Sequence, residues 1–400
     1  MQFTRGGPLS PALLVSLLLF QAVKGADLGY GRMLESFWDQ GAALGLELPQ
    51  DEPVTAQAFA AARRKLPAEM VRSLVHEAAD RFDATYGARL LWRGRRLLAV
   101  DGQRRFVQAS DDLLRFGRPG DAHYPMIHVT TLFDVVSKVP HAVEVGAYGA
   151  DERTQLLAVL HRAEKGDVLV LDRGYQSFDV LAALHMSDVD FVVRLPASGT
   201  FKAVVEFLAT GASEGVVLVE PTADSSMRDM EPLPVRIVVV ARGDGPPWVL
   251  ATSLPAAEFP AAAVEEAYAL RWDIEEFHKL LAGDYFGQGF FHARTAEGVR
   301  QEVYAQALFV ALTRTLMAAA AAVADAPFGR LSQKAAVVAV GDHLARLVLR
   351  QPPERARAGL SLLLARIARA RDAVRPPRSV QRRSFLPARK WGPAGRRSGG

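Results

Sequence analysis

The sequence contains no cysteine, and this absence narrows the chemistry that the chain can carry. A chain without cysteine has no disulfide framework, no thiolate ligand for zinc and no cysteine nucleophile. Its nine histidines show no H-E-x-x-H or comparable ligand spacing. Any metal ion would therefore be held by oxygen ligands, and oxygen ligands favour magnesium or manganese.

Long hydrophobic runs are scarce as well. The stretch PALLVSLLLFQAVKGA near the N-terminus is too short to span a membrane as a helix. Only one cation, Arg5, precedes it, and amphipathic helical patterning resumes at once in YGRMLESFWDQ. We therefore expect a buried helix rather than a signal peptide, and no membrane partner.

The cations are unevenly distributed along a chain that is long enough to bury a sizeable core. The length of 400 residues, 50% of them hydrophobic, predicts two or three domains. Residues 375 to 400 hold eight Arg or Lys and no acid, so setting those eight aside from the net charge of +4 leaves −4 for the rest. Clustered arginine favours a polyanionic partner such as nucleic acid, although basic tails are often merely solvated.

The first part of the chain is predicted to be helical. Amphipathic patterning predicts helices at 10–23, 29–44, 55–64 and 67–83, with Thr55 as a possible N-cap and Pro67 in the first turn of the fourth helix. The pattern then changes to β-branched residues in RLLAVD (96–101), RRFVQA (104–109) and the stretch 126–148. These segments predict a strand followed by a meander.

The middle of the chain alternates strands and helices. A helix, the apolar strand VLVLDRG, a second helix and the strand DFVVRLP follow one another, which indicates a partly parallel sheet with crossovers. Residues 196 to 253 contain mostly strand and turn signals and predict a β-rich insertion. Helices return at 260–283, 296–324, 333–350 and 354–373. The predicted fold class is α/β, a mixed sheet with flanking helices, preceded by an all-helical segment.

Three acids fall at informative places in this layout. Asp101 and Asp172 each end a predicted strand, where ligands gather in α/β sheets, and Glu275 lies on the helix after the insertion. Either aspartate could simply bond loop amides as a cap. Together the three would supply the carboxylates that two divalent cations, about 4 Å apart, need for phosphodiester chemistry.

The helix YALRWDIEEFHKLL places Tyr268, Arg271 and Lys279 on the same face as Glu275. One interpretation is an exposed ladder of i, i+4 ion pairs. The other is a catalytic face, on which Arg271 and Lys279 contact phosphates beside the scissile bond and Tyr268 bonds or stacks on the strand. Other acids nearby are expected to pair, to face solvent or to be structural: Asp273, Glu276 and Glu302.

The ordered motifs resemble the DDE transposases of the IS-four family of bacterial insertion sequences. LLAVDGQ around Asp101, LVLDRGYQSFDVL around Asp172 and the segment 254–281 around Glu275 look like the motif blocks of that family. Tyr268, Arg271 and Glu275 form its Y-x2-R-x3-E pattern, and HARTAEGVRQEVYAQALFVALTRTLM resembles the helix that follows. The similarity covers about residues 5 to 325.

The resemblance implies a ribonuclease-H-like catalytic core with two Mg²⁺ or Mn²⁺ ions held by Asp101, Asp172 and Glu275. It also implies three regions: an N-terminal helical DNA-binding domain at 1–85, a catalytic domain at 86–325 with its β-rich insertion at about 196–253, and C-terminal helices with a basic tail at 326–400. The N-terminal helices would help to recognise terminal inverted repeats.

The implied activity is cut-and-paste transposition by a metal-dependent endonuclease and strand transferase. Water attacks at the end of the element, and the freed 3′-hydroxyl attacks the complementary strand or the target. The implied partners are terminal inverted repeats and target DNA, bound by a homodimer in the bacterial cytoplasm at the nucleoid. The alternative is a non-catalytic DNA-binding relative that has lost transposition activity.

One position departs from the signature of the family. The lysine expected seven residues after the glutamate is replaced by Ala282, whereas Lys279 follows Glu275 by four residues. Both offsets lie on the Glu275 face, so Lys279 is the candidate substitute. Arg194 in FVVRLP is interpreted either as a phosphate contact or as the partner of a core carboxylate. Trp248 either stacks on a displaced base or belongs to the core.

Overall fold

The structure is a computed structural model, and it describes residues 8–24, 28–196, 198–243, 245–281 and 291–373. Its strands are β1 Leu97–Phe106, β2 Met126–Asp134, β3 Pro140–Ala147, β4 Val168–Leu171, β5 Asp190–Leu195, β6 Glu214–Val219, β7 Leu233–Arg242 and β8 Gly245–Thr252. Its α-helices are α1 Pro11–Lys24, α2 Tyr30–Ala43, α3 Ala56–Arg63, α4 Ala68–Tyr86, α5 Asp111–Leu114, α6 Glu152–Leu160, α7 Phe178–Met186, α8 Lys202–Ala209, α9 Ala261–Leu270, α10 Trp272–Lys279, α11 Ala296–Val323, α12 Gln333–Val348 and α13 Pro353–Arg369.

The predicted mixed α/β class is confirmed by a single eight-stranded sheet among helices. The strand order is β3-β2-β1-β4-β5-β8-β7-β6. Only the pairs β1 with β4 and β4 with β5 are parallel, and the other five neighbouring pairs are antiparallel. Parallel neighbours require crossover connections, and α6 and α7 make them as the alternating pattern predicted.

Strand β1 joins two segments that the sequence predicted separately, 96–101 and 104–109. Gly102 lies between them and pairs with Thr130 across the β1–β2 ladder. A Cβ atom on Gly102 would lie 2.0 Å from Nε2 of His128. Because Gly102 has no side chain, the buried ring of His128 can lie over the backbone of β1. The strand therefore continues to Phe106.

The β-rich insertion differs from its prediction in two respects. It contains a helix, α8, which the sequence analysis read as strand or turn, and its strands extend the central sheet through the pairing of β8 with β5. Phe207 of α8 packs over Gly215 of β6, where a Cβ would lie 2.6 Å from the phenyl ring. This contact with the next strand supports a helix of eight residues, which is too short to be stable by itself.

Helix α11 lies at the centre of the helical layer, and α1, α4, α12 and α13 pack against it. By length and composition α11 could cross a membrane, but 67% of its most apolar window is buried inside the protein, as in a core helix. Helix α1 is buried as predicted, with Leu14, Leu17 and Phe20 fully inaccessible. The N-terminal helices share one hydrophobic core with the sheet and the C-terminal helices. The division into three domains stays a prediction.

Arg63, at the end of α3, ties the N-terminal helices to α11. Its guanidinium forms a buried ion pair with Glu302 (2.9 Å) and donates to the side chain of Gln301 (3.0 Å), to the hydroxyl of Tyr30 (2.6 Å) and to the carbonyl of Gly298 (3.0 Å). Glu302 also accepts hydrogen bonds from the backbone amides of residues 292 and 293. Glu302 is therefore engaged in the structural role that the sequence analysis gave it.

We predict that Arg63→Met lowers the free energy of unfolding by about 3–5 kcal/mol, because it leaves the buried carboxylate of Glu302 without its cation. Urea unfolding followed by circular dichroism measures this loss. The control is Arg81→Met, which removes an exposed i, i+4 pair with Glu77 on α4 and should cost less than about 1 kcal/mol. Equal losses in the two variants would contradict the prediction.

Candidate functional site

Asp101 and Asp172 lie on neighbouring parallel strands in the middle of the sheet. The register pairs Leu97 with Val168 and Ala99 with Val170, and continuing it by two residues brings Asp101 beside Asp172. Adjacent strands are about 4.8 Å apart. Asp172 follows the last residue of β4 as predicted, whereas Asp101 lies within β1 rather than at its end.

Each aspartate also makes the local hydrogen bond that the capping interpretation predicted. Oδ1 of Asp172 accepts from the amide of Gly174 at 2.8 Å, and Oδ1 of Asp101 accepts from the amide of Gly102 at 2.9 Å. These bonds use one oxygen of each carboxylate and fix its direction. Capping and a functional role are therefore compatible at both positions.

Glu275 reaches the same place from helix α10, which packs against β1. Burial is the main cause that raises the pKa of Asp101 to about 6, and the negative charges of Asp172 and Glu275 raise it further. The cation of Arg271 and the amide of Gly102 oppose this rise. The structure thus brings the three predicted acids close enough for their charges to act on one another.

Arg271 is the cation of this acidic group. It lies between α9 and α10, its side chain is 14% exposed, and its Nη2 donates to Oε1 of Glu275 at 2.5 Å. Burial lowers the pKa of Arg271, but Tyr268, Glu275 and Asp101 outweigh burial and hold that pKa above its ordinary value. The predicted i, i+4 ion pair between Arg271 and Glu275 is therefore present, although it is partly buried.

Tyr268 is buried, with 5% of its surface exposed. Its ring packs edge-on against Trp248 at 4.9 Å between centroids, and the guanidinium carbon of Arg271 lies 5.8 Å from its centre. Trp248 is also approached by Arg242 (3.9 Å) and by Arg194 (5.9 Å). Tyr268 thus contacts Arg271 from the core side, and Trp248 packs against Tyr268. The DNA contacts predicted for Tyr268 and Arg194 stay predictions.

The predicted ion pair between Glu275 and Lys279 is absent. Lys279 pairs with Glu276 at 2.5 Å and lies 4.7 Å above the half-exposed ring of Trp272, instead of pairing with Glu275. An exposed cation over an aromatic ring is a surface that can contact a phosphate, so its predicted role stays open. Ala282 lies outside the described residues.

Two residues that the sequence analysis missed belong to the surroundings of the acids. His278 is buried, and its Nδ1 lies 3.6 Å from Oδ2 of Asp101. Burial and the cation of Arg105 lower the pKa of His278 to about 4, so its ring is neutral at pH 7. Glu152, at the start of α6, has its Oε1 4.0 Å from Nε2 of His128 and its Oε2 beside Gly174. The motif EEFHK contained a signal for His278, because it lies one helical turn from Glu275.

The donor atoms of this site suit a hard divalent cation, because they are carboxylate oxygens on two strands and a helix. Their present arrangement does not. In the part of the chain that the structure describes, no three His, Asp or Glu side chains are grouped so that they could hold a metal ion. The contact between Arg271 and Glu275 engages Oε1 of the third carboxylate.

One comparison with known proteins identifies the kind of domain. The family described as Transposase DDE domain matches residues 92–312, which is more than half of the chain. No curated protein matches the chain. A cryo-EM structure of a piggyBac transposase synaptic complex with hairpin DNA aligns with this chain at 10% sequence identity. The alignment covers 91% of this chain and 78% of the chain in that structure. Its TM-score of 0.48 is too low to support an argument from fold.

We predict that Asp101→Asn stabilises the protein above about pH 6 and has no effect below about pH 3. The unfolded carboxyl titrates near about 3.9, and the folded one titrates near 6. Between these values the unfolded chain releases its proton first, so stability falls as the pH rises and stays low above the folded pKa. Asparagine removes this penalty, which is worth roughly 2–3 kcal/mol.

Urea unfolding of both proteins at several pH values, in the presence of a chelator, measures the difference. The wild-type protein and the variant should coincide at the acid end and separate as the pH rises. A variant that is less stable at neutral pH, or a difference that does not depend on pH, would count against the burial of a charged Asp101.

Proposed function

Because the chain belongs to the family of transposases with a DDE domain, we propose that it catalyses cut-and-paste transposition of a bacterial insertion sequence of the IS-four type. The observation that carries the proposal is the place where the three acids meet. Two aspartates on adjacent parallel strands and a glutamate on the helix packed against one of them form one acidic group. Phosphodiester chemistry with two cations needs such a group on rigid elements.

The sheet supports a ribonuclease-H-like core as the fold of this proposal. Strands β3, β2 and β1 form an antiparallel meander, and β1 continues into the parallel strands β4 and β5. The proposed active site lies in the central part of this five-stranded unit, and the insertion strands β6 to β8 extend the sheet beyond β5. The ribonuclease-H-like assignment itself belongs to the proposal.

Asp101, Asp172 and Glu275 would hold two Mg²⁺ or Mn²⁺ ions. When bound, such ions activate an attacking oxygen and stabilise a leaving one. The protein itself supplies rigidity, because both aspartates are fixed by backbone amides. It also supplies a neutral, buried His278, whose Nδ1 lies 3.6 Å from Oδ2 of Asp101.

DNA is the proposed partner, and the cations around the acids supply its phosphate contacts. Arg271, Lys279 and Arg194 are the proposed contact residues, with Tyr268 supporting them from the core. The N-terminal helices within residues 1–85 are proposed to recognise terminal inverted repeats. We further propose that the protein acts as a homodimer on paired element ends and that target DNA is its second partner. Its proposed location is the bacterial cytoplasm.

The alternative is a DNA-binding relative without catalytic activity. Its support is the residue Ala282 at the position of the expected lysine. The three acids argue against it, because a protein that only binds phosphates has no need to gather like charges at a cost in stability. A nicking assay with and without a divalent metal ion separates the two.

We predict that Asp101→Asn, Asp172→Asn and Glu275→Gln each reduce metal-dependent cleavage of DNA carrying the element ends by more than about 100-fold. Each change keeps the size of the side chain and removes the charge that would bind a cation. Cleavage is measured on end-labelled DNA with Mg²⁺ or Mn²⁺. Binding of the same DNA, measured by mobility shift, should change little.

The matched control is Glu266→Gln, which removes an exposed carboxylate of α9 that pairs with Arg93. It should cleave at the wild-type rate. Cleavage that survives in any of the three acid variants would overturn the assignment of that acid. Binding without cleavage by the wild-type protein would support the non-catalytic alternative.

We predict that DNA affinity falls linearly with the logarithm of salt concentration, with a slope of about −0.9 for each neutralised phosphate. Lys279→Gln should reduce the slope by about 1, because it removes one exposed phosphate contact. Fluorescence anisotropy over a salt series measures the slope. Lys165→Gln is the control, since Lys165 precedes β4 and lies at the opposite end of that strand from Asp172. Identical slopes in both variants would exclude Lys279 from the DNA contact.

A further inference from the structure

Arg271 occupies the position of a counter-ion within the acidic group. It donates to Glu275 at 2.5 Å, and its charge lowers the pKa of Asp101. A single buried guanidinium thus offsets part of the repulsion among three carboxylates. Arg271 and a divalent cation at this group would compete for the same negative charge, because like charges repel at short range.

Glu275 does not form a cation site together with Asp101 and Asp172 in the structure. No group of three His, Asp or Glu side chains within the described ranges is arranged to hold a metal ion, even though Asp101 and Asp172 are already adjacent. The ion pair with Arg271 engages Oε1 of Glu275. A cation that needs Glu275 as a ligand therefore has to compete with Arg271 for this carboxylate.

The hydrogen bonds of Arg271 leave it ready for a second acceptor. Its Nε is buried and has no hydrogen-bond partner among the described residues, while its Nη2 is bound to Glu275. A planar guanidinium with an unused donor matches a phosphate, which can accept from two nitrogens at once. The side chain is only 14% exposed but reaches the surface where the acids lie.

From these observations we propose that Arg271 is a positioning residue that exchanges Glu275 for a phosphate of the DNA backbone, so that Glu275 becomes available to cations only when DNA is bound. This inference rests on the proposed function and adds an order of assembly to it. In the free chain the arginine holds the glutamate. In the complex the guanidinium of Arg271 binds a phosphate instead of Glu275. The carboxylate of Glu275 is then free to bind the cations beside Asp101 and Asp172.

The exchange couples two ligands through one ion pair. Thermodynamic linkage requires that DNA raises the affinity for the cation by the same factor by which the cation raises the affinity for DNA. A coupling of this kind is typically about 5–150-fold. It would also keep free protein from assembling a complete cation site away from DNA.

The first test measures Mn²⁺ binding to the full chain without DNA, by electron paramagnetic resonance of the free ion. Arg271→Gln should raise the affinity for Mn²⁺ by roughly tenfold, within the range expected for coupled sites. Adding Glu275→Gln to this variant should abolish the gain. An affinity that is unchanged or lower in Arg271→Gln would overturn the proposal.

The matched control is Lys138→Gln. It removes a cation that pairs with Asp273 on the same helix, α10, at 2.9 Å, and it should leave Mn²⁺ binding unchanged. A gain equal to that of Arg271→Gln would show that the loss of any positive charge paired with an acid of α10 is sufficient, and this result too would overturn the exchange.

The second test uses the wild-type chain and does not depend on the stability of a variant. A DNA duplex carrying the ends of the element should raise its affinity for Mn²⁺ by roughly tenfold, the factor that Arg271→Gln gains without DNA. An equal affinity with and without the duplex would refute the exchange even if the protein cleaves DNA normally. Absence of cleavage and of any Mn²⁺ binding that depends on Asp101 would instead refute the proposed function.

Discussion

The parallel pairing of β1 with β4 is the constraint on which the acidic group depends. Its register places Asp101 beside Asp172 in the centre of the sheet, where strands are covered by helices on both faces. The backbones that carry the two aspartates cannot move apart without disturbing the ladder, so the fold keeps two acidic residues side by side. Local bonds to the amides of Gly102 and Gly174 then fix the direction in which each points.

The other residues of the site balance this charge. Arg271 is held on the core side by Tyr268, which is itself packed against Trp248, and it meets the acids through Glu275. This ion pair is partly buried, with side chains 14% and 29% exposed, and a pair removed from water in this way is weak evidence for a gain in stability. The balance suits a site that is incomplete in the free chain, because a single ion pair then separates the present state from one with three free carboxylates.

The helical layer gives this site a rigid base. Helix α11 packs against α1, α4 and the C-terminal helices, and the ion pair of Arg63 with Glu302 joins the N-terminal helices to it. The strand β1 contributes Arg105 to the same region, where it donates to Gln306 of α11 at 2.6 Å. Elements that are distant in sequence therefore pack together around α11, beside the strand that carries Asp101.

Periodicity in the sequence determined most of the helices and strands, and the motif spacing determined which acids to compare, because both depend on residues close together in the chain. The sequence did not determine that β1 runs through Gly102, that the insertion strands join the central sheet, or that His278 lies against Asp101. Those features depend on contacts between segments far apart in the chain, whose distances only the packed tertiary structure sets.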